Sequence, residues 1–342
     1  MRRQEGMYVA EGLLDRLARG PVLGDGGYLL ELEKRGYVQA GPFTPEVSIT
    51  NPEALAELHR EFLRAGAEVL QALTFYASEE KLATVGLAGR VDDINRAAVR
   101  VARAVADEGD ALVAGNLSLT WAYDPADTGS PDRVRALFDR QLDVQTGEGI
   151  DLVIGETFSY LGEALIALER AKATGLPVVI TMSFEDAAAC AYEGDDVAAC
   201  ARNLVDAGAD VVGINCLRDP ERTLPLAAEM RAAVPDAFIA TQPVAYRVSD
   251  ERPDFTASPE FPFELERLTL TRQDMADYAL KAREIGVDYI GSCCGSVANH
   301  VRAMANALGK VSTDERAWRS TTGKAMSAYE YHGHTEVEVP SA

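Results

Sequence analysis

The chain has 342 residues, 47% of them hydrophobic and 25% charged, and its 33 basic against 54 acidic side chains give a formal net charge of −21. So acidic a chain is ill suited to nucleic acid, whose binding depends on neutralising phosphates, or to an anionic membrane surface, and no stretch approaches the roughly 18 uninterrupted apolar residues of a membrane helix. Five cysteines without regular spacing, and no basic segment leading into a long apolar run, predict reduced thiols in a cytoplasmic protein.

In chain order, a short amphipathic piece over 11–18 is closed by Gly20, and an apolar run over 22–24 ends in the turn Asp25-Gly-Gly27. An open stretch from Gly36 to Pro45 leads to a helix predicted over 52–64, with Asn51 as cap, Pro52 in the first position and Gly66 as stop. Apolar runs then recur at 68–75, 111–117, 152–155, 178–182, 211–214, 238–240 and 289–291. Helical patterns separate them, over 91–108, 132–149, 161–174, 195–207, 220–234 and 272–285, and a last one follows over 299–308. Gly175, Gly208 and Gly286 close their helices in the expected way.

Near-continuous apolar strands alternating with helices predict a parallel sheet covered on both faces, and eight such units are the count of a (β/α)8 TIM barrel. A doubly wound open sheet is the alternative, but Gly24-Asp-Gly-Gly27 lacks the glycine spacing of a dinucleotide-binding turn. We read one α/β barrel domain over 10–310. The polar tail over 311–342 is either an oligomerisation arm or a disordered segment. The proline-bearing stretch over 244–269 is too long for an ordinary connection, and such segments are usually functional or interfacial.

In a barrel of this kind the C-terminal strand ends line the site. They present Asp25, Gly26 and Gly27, then Thr74, Phe75 and Tyr76, then Asn116 and Ser118, Glu156, Cys216, Gln242, and finally Cys293 with Cys294. None is a histidine: His59 and His300 fall in helical patterns and His332 and His334 in the tail, which argues against serine–histidine chemistry. Adjacent Cys293 and Cys294 would strain a disulfide. Together with Cys216 they predict three thiolates on one ion, and no fourth protein ligand is evident, as in catalytic rather than structural zinc. Sulfur ligands disfavour magnesium and calcium. The plain alternative, three small buried hydrophobes, loses force when all three stand at strand ends; Cys190 and Cys200 are read as bystanders.

Zinc held by three thiolates is electron-rich, a poor activator of water but a good partner for a fourth thiolate. It would strip the proton from an incoming thiol. The nucleophile so formed suits methyl transfer from an onium compound, whose leaving group departs neutral. A dry aromatic pocket binds such a cation through ring faces and favours a reaction that removes charge.

Gly24-Asp-Gly-Gly27, Glu33-Lys-Arg-Gly-Tyr37, Gly213-Ile-Asn-Cys216, Pro259-Glu-Phe-Pro-Phe263 and Gly291-Ser-Cys-Cys-Gly295 make the chain resemble the zinc-dependent homocysteine S-methyltransferases over 10–310. Thr74-Phe-Tyr-Ala-Ser78 points to their betaine-using branch. The resemblance implies one Zn2+ per chain on Cys216, Cys293 and Cys294. It implies homocysteine held by Asp25, Gly26, Gly27 and Glu156, with Gln71, Asn215 and Gln242 in support. Glu156 and Tyr76 would be the catalytic pair, and Tyr28, Phe43, Phe75, Tyr76 and Thr157 the donor pocket, in a homo-oligomer that makes methionine.

The departures are on the donor side. The betaine enzymes carry tyrosine at Thr157, tryptophan at Phe43, phenylalanine at Tyr28 and threonine at Ala72, and a longer tail. The donor therefore stays open between glycine betaine, which leads, and a sulfonium such as dimethylsulfoniopropionate or S-methylmethionine. Two rival readings are a non-catalytic barrel that binds zinc or senses oxidants through Cys293 and Cys294, and an enzyme of phosphorylated substrates. The latter would need a glycine-rich phosphate loop after the last two strands, where cysteines and a proline-rich insert stand instead.

Overall fold

The computed structural model describes residues 11–311. Its strands are β1 (Val22–Leu23), β2 (Val69–Gln71), β3 (Leu112–Ser118), β4 (Leu152–Phe158), β5 (Val178–Met182), β6 (Val211–Asn215), β7 (Phe238–Gln242) and β8 (Tyr289–Ile290). They form a single eight-stranded parallel sheet in the order β1-β8-β7-β6-β5-β4-β3-β2 with helices between them, the predicted (β/α)8 barrel. The calls on 1–10 and on most of the 311–342 tail, with its proposed assembly role, lie outside the described residues. No helix among the described residues is long and apolar enough to cross a membrane.

The floor of the barrel interior is filled by Val69, Leu112, Ile154, Val179, Val211 and Tyr289, with small Ala114 and Ala240 beside them. Outside, the helix Val91–Ala106 buries Val91, Ile94, Ala98, Val99, Ala102 and Val105, the three-and-four spacing that lays one stripe on the sheet. The helix Pro52–Ala65 ends at Gly66, whose φ of 109° gives the left-handed turn that glycine adopts without strain. Asn51 precedes it, but its side chain makes no cap hydrogen bond.

Two strand boundaries differ from the expected ones. β2 stops at Gln71 rather than running to 75, because the chain turns into the site there and Tyr76 takes a φ of 61°. β4 runs past 155 to Phe158, and its register against β5 shifts between Gly155 and Phe158. Such a bulge re-aims side chains, here those of Glu156 and Thr157.

The β1–β2 seam is stitched by a few bonds. The Glu68 N–H donates to Leu23 O at 2.8 Å and the Glu68 carboxylate accepts the Leu23 N–H at 2.8 Å. Further up, the Asp25 carboxylate accepts the Gln71 N–H at 2.7 Å. A residue of the candidate site therefore also closes the barrel.

Candidate metal and substrate site

Cys216 ends β6 with a φ of 59°, a left-handed conformation that is costly for a side chain with a Cβ. The strand pairing holds it there, since its N–H donates to Gln242 O at 2.9 Å. The Cys293–Cys294 turn is held from both sides. The Cys293 N–H donates to Pro243 O at 2.8 Å, the Ala245 N–H to Cys294 O at 2.9 Å, and the Gly27 N–H to Ser296 O at 3.1 Å. Ser292 adds its hydroxyl, 3.3 Å from Asp25 O and 2.7 Å from Ser296 Oγ.

These loops bring the three sulfurs together, all within 4.8 Å of one another. Cys216 Sγ lies 3.7 Å and Cys293 Sγ 3.9 Å from Cys294 Sγ. All five cysteines of the chain are free thiols, and neither Cys190 nor Cys200 belongs to this cluster. For Cys216, contact with Cys293 favours the thiolate, but contact with Cys294 and burial outweigh it and the thiol is held well above the ordinary range. Contact with Cys216 and burial push Cys293 up against the opposing contact with Cys294; contact with Cys216 favours the Cys294 thiolate, but contact with Cys293 and burial push that thiol up as well. Three adjacent sulfurs, Cys216 buried and Cys293 and Cys294 half-buried, cannot all ionise by themselves; a soft dication is the kind of partner that would let them.

Two carboxyl groups stand opposite. Glu156 is 5% exposed and fully committed to amides: Oε1 accepts from Gln71 Nε2 and, at 2.7 Å, from Asn116 Nδ2, and Oε2 accepts from Asn215 Nδ2 at 2.9 Å. Burial raises its pKa to about 7, with the charge of Asp25 adding to the effect. Asp25 is likewise raised to about 6 by burial, moderated by donors from Tyr28 and Gln71. Two carboxyl groups poised to ionise near neutrality in a shared pocket are a receptor for an ammonium group.

Of the residues given a part in holding metal, substrate or donor, all but Phe43, Tyr76 and Asn215 line one cavity of about 80 Å³, ample for more than a single water; of the other strand-end residues, Thr74, Asn116 and Ser118 do not line it. Asn215 lies behind the wall, where its Oδ1 accepts the Thr157 N–H at 2.8 Å and the Thr181 hydroxyl at 2.8 Å. Phe43 packs with Phe261, ring centroids 6.3 Å apart, in an apolar cluster that includes Cys216, Cys293 and Cys294. That cluster draws Val244, Tyr246, Phe255 and Leu265 from the long insert, which thus forms one wall of the sulfur site. Tyr76 lies beside Phe75 in a tilted contact, with centroids 4.3 Å apart, and reaches Trp121 at 5.9 Å.

Tyr28, expected in the donor pocket, has its ring and its hydroxyl in two different settings. Its ring lines the cavity, but its hydroxyl is bound to Asp25 and to His59. Several residues with a stake in the site were not assigned from the sequence. Asn116 stood at a predicted strand end, a signal available but unused. Ser292 could have been read from its place beside the cysteines. His59, from the helix Pro52–Ala65, reaches the site through the Tyr28 hydroxyl, a contact that the sequence does not give.

A parallel barrel with three convergent thiols facing two buried carboxyl groups across its C-terminal mouth defines a barrel enzyme whose chemistry is built around sulfur. Residues 22–308 match the model of the family described as Homocysteine S-methyltransferase, and the chain belongs to that family. It is 45% identical over 317 residues to betaine–homocysteine S-methyltransferase 1 of Bos taurus, covering 89% of this chain and 76% of the bovine one. It is 42% identical over 311 residues to S-methylmethionine–homocysteine S-methyltransferase BHMT2 of Pongo abelii, covering 87% of this chain and 81% of that one. In fold it is similar to the metallated form of the homocysteine methyltransferase MmuM from Escherichia coli, with a TM-score of 0.67 at 21% identity over 84% of this chain and 96% of that one.

Proposed function

We propose that this enzyme transfers a methyl group from a betaine-like onium donor to the thiol of homocysteine, giving methionine, with one zinc ion held by Cys216, Cys293 and Cys294. The sulfur spacing carries the proposal. Tetrahedral zinc–thiolate bonds of about 2.3 Å space their sulfurs by about 3.8 Å, and the separations from Cys294 are 3.7 and 3.9 Å. When bound, zinc supplies the charge that keeps its ligands ionised and lowers the pKa of a thiol brought beside them.

The chain's own residues do the rest. Asp25 and Glu156 take the substrate's ammonium group, and both are ready to ionise as it enters. Gln71, Asn116 and Asn215 fix the Glu156 carboxylate so that binding does not have to reorganise it. Gly27 lets the first loop lie against the cysteine turn, and Gly26 lets it lie against the Phe62 ring, where side chains would not fit. Phe75 and Tyr76 offer ring faces to a cation and exclude water, which suits a step that turns a thiolate and an onium into two neutral groups. Glycine betaine leads as donor because of the bovine relative; the primate relative named for S-methylmethionine keeps a sulfonium as the second reading. Free thiols throughout agree with a cytoplasmic setting.

The test is a donor screen with homocysteine on metal-replete protein, following methionine, with zinc per chain counted for the wild type and for Cys293→Ala. About one zinc per chain, methionine formed from an onium donor, and loss of both in the variant are expected. Undiminished turnover after exhaustive chelation would overturn the reading.

A further inference from the structure

The backbone pairing of β2 with β3 stops where the cavity begins, and side chains carry it on. The pairing ends at Gln71 opposite Ala114, with the Ala72 N–H donating to Ala114 O at 2.8 Å. Two residues on, the Thr74 N–H turns back to Ala72 O at 2.7 Å, so Asn116 O, the next acceptor up β3, is left to side chains. The Thr74 hydroxyl donates to it at 2.9 Å. After two more residues the Tyr76 N–H meets the Ser118 hydroxyl oxygen at 3.1 Å. The segment 72–77 has therefore left the sheet while remaining stitched to β3 at a two-residue step.

A second donor arrives from outside the barrel. Gln145, buried in the helix Ser130–Gly147, points its Nε2 at three oxygens: Asn116 O at 2.9 Å, Thr74 Oγ1 at 3.2 Å and Asn95 Oδ1 at 2.8 Å. Asn95 in turn donates from Nδ2 to Ala77 O at 3.1 Å, at the other end of the segment. Gly115 makes room for this amide, since a Cβ there would lie 2.5 Å from Gln145 Oε1. A glycine inside a strand marks such a close approach. The segment so pinned supplies Ala72, Leu73 and Phe75 to the cavity wall, whereas Thr74 and Gln145 stand behind it.

Resting on the methyl-transfer reading above, we propose that Thr74 and Gln145 are positioning residues for the reaction: together they replace the missing backbone ladder and fix the loop whose Leu73 and Phe75 shape the pocket wall. Without them the buried Asn116 carbonyl would lose its donors, and the loop would relax to find others. A small displacement of a wall that orients a reactant is costly to the rate. The effect falls on the Phe75 side of the cavity. Glu156 is spared, because Asn116 stays paired to β4 opposite Ile154 and its Nδ2 still donates to that carboxylate.

The experiment measures kcat and the KM of glycine betaine and of homocysteine in the full-length, zinc-loaded protein, beside zinc per chain and the urea midpoint. Thr74→Val keeps the shape and removes the hydroxyl; Gln145→Met keeps the length and removes the donor. Each should lower kcat/KM for betaine about five- to tenfold, the size of one neutral hydrogen bond. Zinc per chain and the homocysteine KM should stay near wild type. Thr74→Ser should recover the betaine activity, and the double variant should lose less than the product of the single losses, because both break one hydrogen-bonded unit. Lower urea midpoints with unchanged kinetic constants would make the pair structural and overturn the inference while methyl transfer stands. A homocysteine KM that rises as much as the betaine KM, or a Thr74→Ser variant as slow as Thr74→Val, overturns it too. Where Gln145→Met does not fold, the two threonine variants decide alone. A wild type that forms no methionine sinks the functional reading, and this inference with it.

Discussion

The Tyr28 hydroxyl lies 2.5 Å from Oδ2 of Asp25. It also sits 2.9 Å from Nδ1 of His59. A phenol has one proton, so as Tyr28 donates to the carboxylate its oxygen accepts from His59, which burial holds neutral with a pKa near 3. The bond also favours the ionised form of Asp25, against the opposing effect of burial. Tyr28 is thus a positioning residue: it aims the Asp25 carboxylate, which closes the β1–β2 seam and is proposed above to bind substrate.

Tyr28→Phe tests this. The substitution keeps the ring against Phe62 but leaves the His59 Nδ1–H unpaired and Asp25 one donor short. A buried donor left without a partner costs about 1–3 kcal/mol, to be read by urea denaturation of wild type and variant. The homocysteine KM should rise several-fold, with its pH dependence moved to higher pH. A variant with wild-type KM and an unmoved profile would remove Tyr28 from the binding machinery.

Asp25 and Glu156 have ordinary values of 3.8 and 4.5 and are raised by burial to about 6 and about 7. Raised folded-state values mean that the native protein keeps these protons to higher pH than the unfolded chain. Their contribution to stability is complete below about pH 4 and is lost as pH rises through 6 to 7. Binding of an ammonium group runs the other way, because it needs the ionised forms. The homocysteine KM should therefore fall as pH rises from about 5.5 to 7.5. Glu156→Gln should raise KM and flatten the upper part of the profile; a slope that survives in that variant would assign it to another group.

A Cβ on Gly27 would lie 2.8 Å from Cys293 O and 3.2 Å from Cys294 Cα, contacts with backbone that cannot swing away. Gly27→Ala should push the cysteine turn outward and weaken metal binding at least tenfold in a chelator competition, with the barrel's circular dichroism kept. Gly89→Ala, where a Cβ meets nothing within 4 Å, is the control. Equal zinc affinity in the two variants would show that the turn tolerates displacement.

Much of this molecule was readable from the residue order. Strand and helix periodicity predicts which way each element faces, and a parallel barrel collects every C-terminal strand end at one mouth. Cys216, Cys293 and Cys294 therefore had to converge once eight βα units were counted, and Asp25, Glu156 and Gln242 with them. What periodicity cannot supply is the path of the chain after each strand. β4 looked finished at Gly155 because Glu156 and Thr157 are polar, yet Asn215 and Gln71 satisfy them and the strand continues. The helix Pro52–Ala65 brings His59 against the Tyr28 hydroxyl, a pairing that no local pattern announces. Lys81 follows Glu79 and Glu80 and reads as a solvated helix start. It is buried because Tyr76 and Trp121, both at positive φ, fold their rings over it. Local sequence determined the faces of the elements. Only tertiary packing could hold the strained turns that decide which side chains from different elements meet.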